Sequence, residues 1–373
     1  MILPALICSV ALAMVGVDED PKPLTQSTLI RWSQTEPVVG VVGIVNEQGV
    51  PIQIEQQVIP TLIPWYEVRS LKPADAKYDQ YQLPAQDAWR AHLRLIRGDF
   101  FGAETIYNQL EDQYLWNIGP QSADVSLGLM QCRLDRQDRV SAVLAMVSWI
   151  GANRDQGLAS LETNDQAAAD QLDGFDPEHQ LMVALPPIFS SSDRFQALAS
   201  MPDSEDLSSR QRALYGYFEL ALHSDIHRTV QAEEKFAQIE RLIRGRERRD
   251  TGIDLIADMV AAQAHPSSQI RKASIAALKR QARTNPGTWI EVWARLAIGV
   301  SLLADEDTRA NERGIIELVH IIVRLNDVSR PLAQLASEIA NEYLARTDRV
   351  QWGNDLKFQS RNAWARQRGE SKN

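Results

Sequence analysis

Cysteine is nearly absent from this chain of 373 residues, which contains only Cys8 and Cys132. Cys8 falls in an apolar N-terminal run, and Ala5-Leu6-Ile7 before it lack the small side chains of a lipoprotein site. If that run is removed, Cys132 stands alone, which excludes an intramolecular disulfide and a cysteine zinc site and leaves it a buried helix residue. Histidine is sparse as well, with six residues. Only His223 and His227 share a helical turn, with Asp225 between them, and two ligands without a third do not hold zinc. A Gly-rich phosphate loop, a nucleophile elbow and an HExxH helix are all missing. No residue is therefore given a catalytic role, and no cofactor or metal is expected. Positive charge is in deficit: 39 Lys and Arg against 49 Asp and Glu give a formal net charge of −10. That balance opposes attachment to phosphate backbones, so nucleic acid is not the expected partner.

Long apolar runs are also lacking. The longest is the run of 16 after Met1, closed by Asp18-Glu19-Asp20, and a membrane-crossing helix needs about 20. Residues 1–17 suit the apolar core of a signal peptide, with a small-x-small site at Ala11-Leu12-Ala13, although no Lys or Arg precedes the run. An exported protein, periplasmic or extracellular and without a transmembrane span, is the expectation, and a buried N-terminal segment is the alternative.

What the chain does contain is ordinary globular material, 44% hydrophobic and 24% charged, enough to fold. Residues 36–72 have β texture. Ile52-Gln53-Ile54-Glu55 alternates with the period of a half-buried strand, and Asn46–Gly49 reads as a turn, so a small unit of three or four strands is predicted. After a polar linker at 72–84, helical spacing takes over. Ala88, Ala91 and Leu95, then Phe100, Ala103, Tyr107 and Leu110, form two stripes hinged at Gly98-Asp99. Helical hairpins are predicted over 85–150, a partly mobile spacer over 151–205, a helical array over 206–346, and a C-terminal tail over 347–373. Ser208 and Gln211 have the spacing of a capping box, and Pro331 suits a first helical turn.

Leu95-Ile96-Arg97-Gly98-Asp99-Phe100-Phe101-Gly102-Ala103-Glu104 resembles the turn of a tetratricopeptide repeat, and Trp293-Ala294-Arg295-Leu296-Ala297 resembles the opening of one. The resemblance covers about half the chain. The second hairpin departs from it by lacking the Gly-Asp turn, and a longer loop is expected at Asp305–Asn311. The resemblance implies a mainly α fold, an α-solenoid whose first helices line a groove for a protein or peptide.

The candidate partner-binding residues are Arg90, Arg94 and Arg97, one stripe of the first hairpin that can grip carboxylates. Asp87, Glu104, Glu111 and Asp112 are the acids of the same hairpin available to pair with them locally instead. The expected function is a non-enzymatic binding scaffold of the cell envelope. Two alternatives stand beside it. One is an enzyme or enzyme accessory with a pocket between the β unit and the first helices, lined by Trp65, Tyr66, Tyr78 and Tyr81. The other is an anion-binding module built on residues 241–283, where ten Lys or Arg face four acids. Asp170, Asp173, Asp176 and Glu178 only partly match a calcium loop, and His92 reads as a packing residue.

Overall fold

The computed structural model describes residues 26–32, 36–46, 49–55, 59–73, 75–152, 174–176, 178–190, 193, 207–223, 230–244 and 250–347. The chain divides into one unit ending at Asp79 and another beginning at Gln80. In the first, β1 (Gln26–Arg31), β2 (Val38–Val42), β3 (Val50–Ile54), β4 (Thr61–Ile63) and β5 (Val68–Lys72) form an antiparallel sheet in the order β4-β3-β2-β1-β5. Leu29, Val50 and Ile52 are buried on it and alternate with more exposed neighbours as a pleated strand with one covered face requires, while Val68 and Leu71 of β5 are both buried across a shift in the β1–β5 register. Trp65, in a single helical turn between β4 and β5, is buried and donates its indole N–H to the Asn46 carbonyl at 2.7 Å. The sheet is larger than the predicted three or four strands because β1 lies ahead of residue 36. Its inward residues are only Ser27 and Leu29, too little apolar alternation to mark a strand.

Helices account for most of the rest: α1 (Ala76–Ile96), α2 (Phe100–Tyr114), α3 (Pro120–Asp135), α4 (Arg139–Ala152), α5 (Ser209–Leu222), α6 (Val230–Ile243), α7 (Thr251–Ala264), α8 (Ser268–Thr284), α9 (Trp289–Leu303), α10 (Thr308–Arg324) and α11 (Arg330–Arg346). The described chain is thus mainly helical, with a small antiparallel sheet at its N-terminal side. The polar linker is shorter than predicted, because α1 starts at Ala76 and carries Pro84 in its interior. A proline there removes one backbone donor, and the helix continues on both sides of it. The capping box at the start of α5 is present: the Ser208 hydroxyl accepts from Gln211 N–H, and Gln211 Oε1 accepts from Ser208 N–H at 2.9 Å. Pro331 sits in the first turn of α11. The loop between α9 and α10 is tighter than expected, since the Asn311 amide, already inside α10, donates to the carbonyls of Leu302 and Asp305 at 3.0 and 2.9 Å.

Packing is serial. Within hairpins α3 lies on α4, α5 on α6, α7 on α8 and α9 on α10, and α8 and α10 also lie against the helices that follow them. Alternate helices touch as well: α5 with α7, α7 with α9, and α9 with α11. Burial follows this order. Helices α8 and α10 bury a single stripe each, Ser274, Leu278 and Ala282 in one and Ala310, Gly314, Leu318 and Ile322 in the other. Helices α5, α7 and α9 are buried nearly all round, so something must cover the side their hairpin partners leave open.

That cover is the short ribbon of β6 (Phe175–Asp176) and β7 (Leu181–Met182) with the chain to Phe189. Leu181, Met182, Leu185, Ile188 and Phe189 are all buried in the helical core. The segment's own carbonyls are held from the helices. Trp293 Nε1 donates to Val183 O at 2.8 Å, Gln263 Nε2 to Pro187 O at 3.3 Å, and Arg210 to His179 O at 2.8 Å. Gly252 lets α7 approach, since a Cβ there would lie 2.4 Å from the His179 carbonyl oxygen. In its described residues, then, the stretch expected as a spacer is part of the core. Residues 153–173 and 194–206, the expected signal peptide at 1–17, and the tail after Thr347 lie outside the described residues.

Replacing Gly252 with Val drives a branched side chain into that carbonyl. We expect urea unfolding to show a loss of about 1–3 kcal/mol, the usual cost of overpacking. Unchanged stability would mean that the segment does not bear on α7.

Candidate functional site

The sides of α5, α7 and α9 that their hairpin partners leave open are therefore occupied by the described residues of 174–190. The polar groups this segment gathers serve that internal docking. Asp176 accepts from His179 N–H at 2.8 Å and from Trp289 Nε1 at 2.7 Å, and its Oδ1 lies 3.1 Å from His179 Nδ1. Burial opposes ionisation of Asp176, but these hydrogen bonds prevail and hold its carboxyl below the usual range. The Trp289 ring stands edge-on to His179 at 5.3 Å and to Trp293 at 5.0 Å. Asp193 accepts from Ser190 N–H and Oγ–H, both at 2.9 Å, with Arg139 3.7 Å away.

The predicted arginine stripe lies on α1 at the turn into α2. Gly98 ends α1 with φ +77°, a backbone conformation that glycine adopts without strain, and Asp99 caps α2 by accepting from Gly102 N–H at 3.0 Å. Arg94 donates to the other Asp99 oxygen at 2.6 Å. Gly102 leaves room for this arrangement, since a Cβ there would fall 2.4 Å from Asp99 Oδ2 and 2.5 Å from the Arg94 guanidinium, and these two exposed side-chain ends would have to shift. The Gly102 N–H and Arg94 together hold the Asp99 carboxyl below its usual range. Arg90 pairs with Asp87, one of the acids named from the sequence, whereas Asp99 was not among them. Arg97 is exposed and makes no ion pair among the described residues. Glu104 and Glu111 serve other arginines, Arg136 at 2.9 Å and Arg133 at 2.7 Å.

Beside this stripe stands a residue that the sequence reading passed over. Phe101 is 82% exposed, and Ile96 across the turn is 55% exposed. The signal was present in the pattern, because Phe101 falls off the Phe100, Ala103, Tyr107 stripe that α2 buries.

No family model, curated protein or solved structure matches the chain.

The remaining candidates are scattered. His223 is half-buried at the C-terminal end of α5, while Asp225 and His227 lie outside the described residues. So do Asp170 and Asp173 of the partial calcium loop, and Glu178 is exposed. Among the described residues no cluster of three or more His, Cys, Asp or Glu is placed to hold a metal, and no helix is long and apolar enough to cross a membrane. Trp65 and Tyr78 lie in the first unit with rings 6.5 Å apart, Tyr66 beside them is half-buried, and Tyr81 belongs to the second unit. Cys132 is fully buried, and burial pushes its thiol up to about 12, aided by the charges of Glu104 and Asp135.

His92 takes part in a polar contact between helices. Its ring stacks on Trp89 at 5.9 Å, and Nδ1 lies 3.8 Å from Asp124 on α3. Burial raises the Asp124 carboxyl to about 6, with His92 pulling the other way. Tyr107 of α2 is fully buried, and its hydroxyl has no hydrogen-bond partner among the described residues. Burial first, and then the Asp124 carboxylate, keep that hydroxyl protonated.

A carboxyl whose value is higher folded than unfolded stabilises the fold in acid. The contribution is complete below the unfolded value near 4 and disappears as pH rises through about 6. We therefore expect Asp124→Asn to raise stability at pH 7.5 by about 1–3 kcal/mol, with the advantage shrinking at pH 4.5. Urea unfolding at the two pH values measures it, and an equal difference at both would contradict the assignment.

Proposed function

We propose that the protein is a non-enzymatic scaffold of the cell envelope that holds a protein partner. Its helical part is an α-solenoid of stacked hairpins similar to tetratricopeptide arrays. The solenoid reading is supported by the order of contacts: each hairpin lies on its neighbours in sequence, and α5, α7, α9 and α11 touch in turn. Repeats that bury a seam against their neighbours leave long outer surfaces free for recognition. Export rests on the apolar run and the small residues at Ala11-Leu12-Ala13.

One observation carries the choice of surface: the exposure of Phe101 at the turn where Arg94 and Arg97 stand, with Arg90 about two helical turns back along α1. An isolated apolar residue on a surface is ordinary, but a large aromatic among guanidinium groups has the composition of an interface anchor. Burying Phe101 against a partner is worth about 2 kcal/mol. The local pairs Arg90–Asp87 and Arg94–Asp99 are exposed, and pairs of that kind contribute only about 0–1 kcal/mol. A partner carboxylate offering two oxygens to a guanidinium can displace them at little cost. The partner segment is thus one that brings an apolar side chain and neighbouring acids to the α1–α2 turn, not one that enters the covered sides of α5, α7 and α9.

The test is capture from the native cells with the full chain and with a Phe101→Ser, Arg94→Glu, Arg97→Glu variant whose circular dichroism is unchanged. The expected outcome is a drop of about tenfold or more in specific co-purifying chains. Retention of the same chains at the same yield would refute this surface.

A further inference from the structure

We propose that the outward face of α8 is a second docking site, one that takes an acidic segment of a partner protein. Ser268–Thr284 contains Arg271, Lys272, Lys279, Arg280 and Arg283 and not one Asp or Glu, inside a chain whose net charge is −10. Arg271 is used within the fold, donating to the carbonyls of His265 and Pro266 at 2.7 and 2.8 Å. The other four are exposed, and none makes an ion pair among the described residues. Arg283 gives its Nε–H to the Lys279 carbonyl at 3.2 Å, which orients it along the helix without neutralising it.

Their spacing makes a surface of them. At 100° per residue, Lys272, Lys279 and Arg283 lie within about 40° of one another around α8, and Arg280 flanks them. From Lys272 to Arg283 is 11 residues, about 16 Å at 1.5 Å per residue. The exposed Ala276 between them leaves the line unobstructed. The opposite side of the helix is fixed by Ser274, Leu278 and Ala282 in the core, so the charges are held on a rigid element. Because the open sides of α5, α7 and α9 are covered by the described residues of 174–190, the outward faces of second helices such as α8 are what the array has left to offer.

Charge and length select the occupant. A single small anion cannot span about 16 Å, whereas an acidic segment of three helical turns, or about five extended residues, matches it. A nucleic acid would run past the stripe onto a chain of net negative charge, and α8 has no aromatic residue on which a base could stack. A bilayer is a broad surface that needs cations on several helices, whereas α6 exposes Glu233, Glu234 and Glu240 and α10 exposes Glu312 together with Arg309 and Arg313, so the acid-free run of cations is confined to α8. A row of carboxylates on a narrow segment meets the cations and avoids those acids.

The experiment uses the purified full chain and so is independent of the α1–α2 surface. A labelled helical peptide with Glu residues at the spacing of Lys272, Lys279 and Arg283 is titrated by fluorescence anisotropy, beside the same peptide with Gln. Two variants are compared, Lys272→Glu, Lys279→Glu, Arg283→Glu and the milder set with Gln at the same positions. We expect the Glu peptide alone to bind, about tenfold or more weakly to the reversed variant and with an intermediate loss in the Gln variant. Absence of binding, or an affinity that neither variant changes, overturns the proposal. So does tighter binding of a DNA duplex or of phosphatidylserine vesicles that the variants abolish, since the face would then read phosphate.

Discussion

Helices that are buried on nearly every side need cover on nearly every side, and the second unit is organised around that requirement. Helices α5, α7 and α9 have too many buried residues for their hairpin partners to shield, and the open side is closed by residues 174–190. The segment brings Leu181, Met182, Leu185, Ile188 and Phe189, and it also brings backbone carbonyls that would be costly to bury alone. Trp293, Gln263 and Arg210 donate to those carbonyls. Apolar covering and hydrogen-bond satisfaction are thus supplied by the same few helix residues.

This constraint separates architecture from use. The sides of α5, α7 and α9 that an array of hairpins could offer to a partner are covered by the chain's own segment. Under the proposed function, recognition is left to what stays outside: the α1–α2 turn with Phe101 and its arginines, and the basic face of α8. Both are built on helices whose other sides are anchored in the core by Ala88, Ala91, Ala103 and Tyr107 in one case and Ser274 and Leu278 in the other. Both surfaces expose guanidinium or ammonium groups on an acidic protein, and the two proposals accordingly share a carboxylate-bearing partner.

Much of the helical plan was legible in the sequence because its causes are local. The Ser208–Gln211 box, Pro331 at a helix start, and the stripes Ala88, Ala91 and then Phe100, Ala103, Tyr107 and Leu110 all follow from residues a helical turn or two apart. The docked segment was not legible, because Val183 is recognised by Trp293 and Pro187 by Gln263, partners distant in sequence that act on backbone rather than side chains. Strand β1 escaped notice because only Ser27 and Leu29 point inward, and α1 was begun too late because Pro84 reads locally as a break. At the arginine turn, the stripe itself was visible but its strongest feature was not. Phe101 stood next to Phe100, and only the placement of the buried face on Phe100, Ala103 and Tyr107 tells which of the two is left outside.

Hydrogen exchange over residues 181–190, followed by mass spectrometry of the full chain, tests the internal docking most directly. The account predicts that the amides of this segment exchange as slowly as those of α7 and α9, because opening one exposes the others. Exchange at the rate of a free loop, with α7 and α9 still protected, would contradict it.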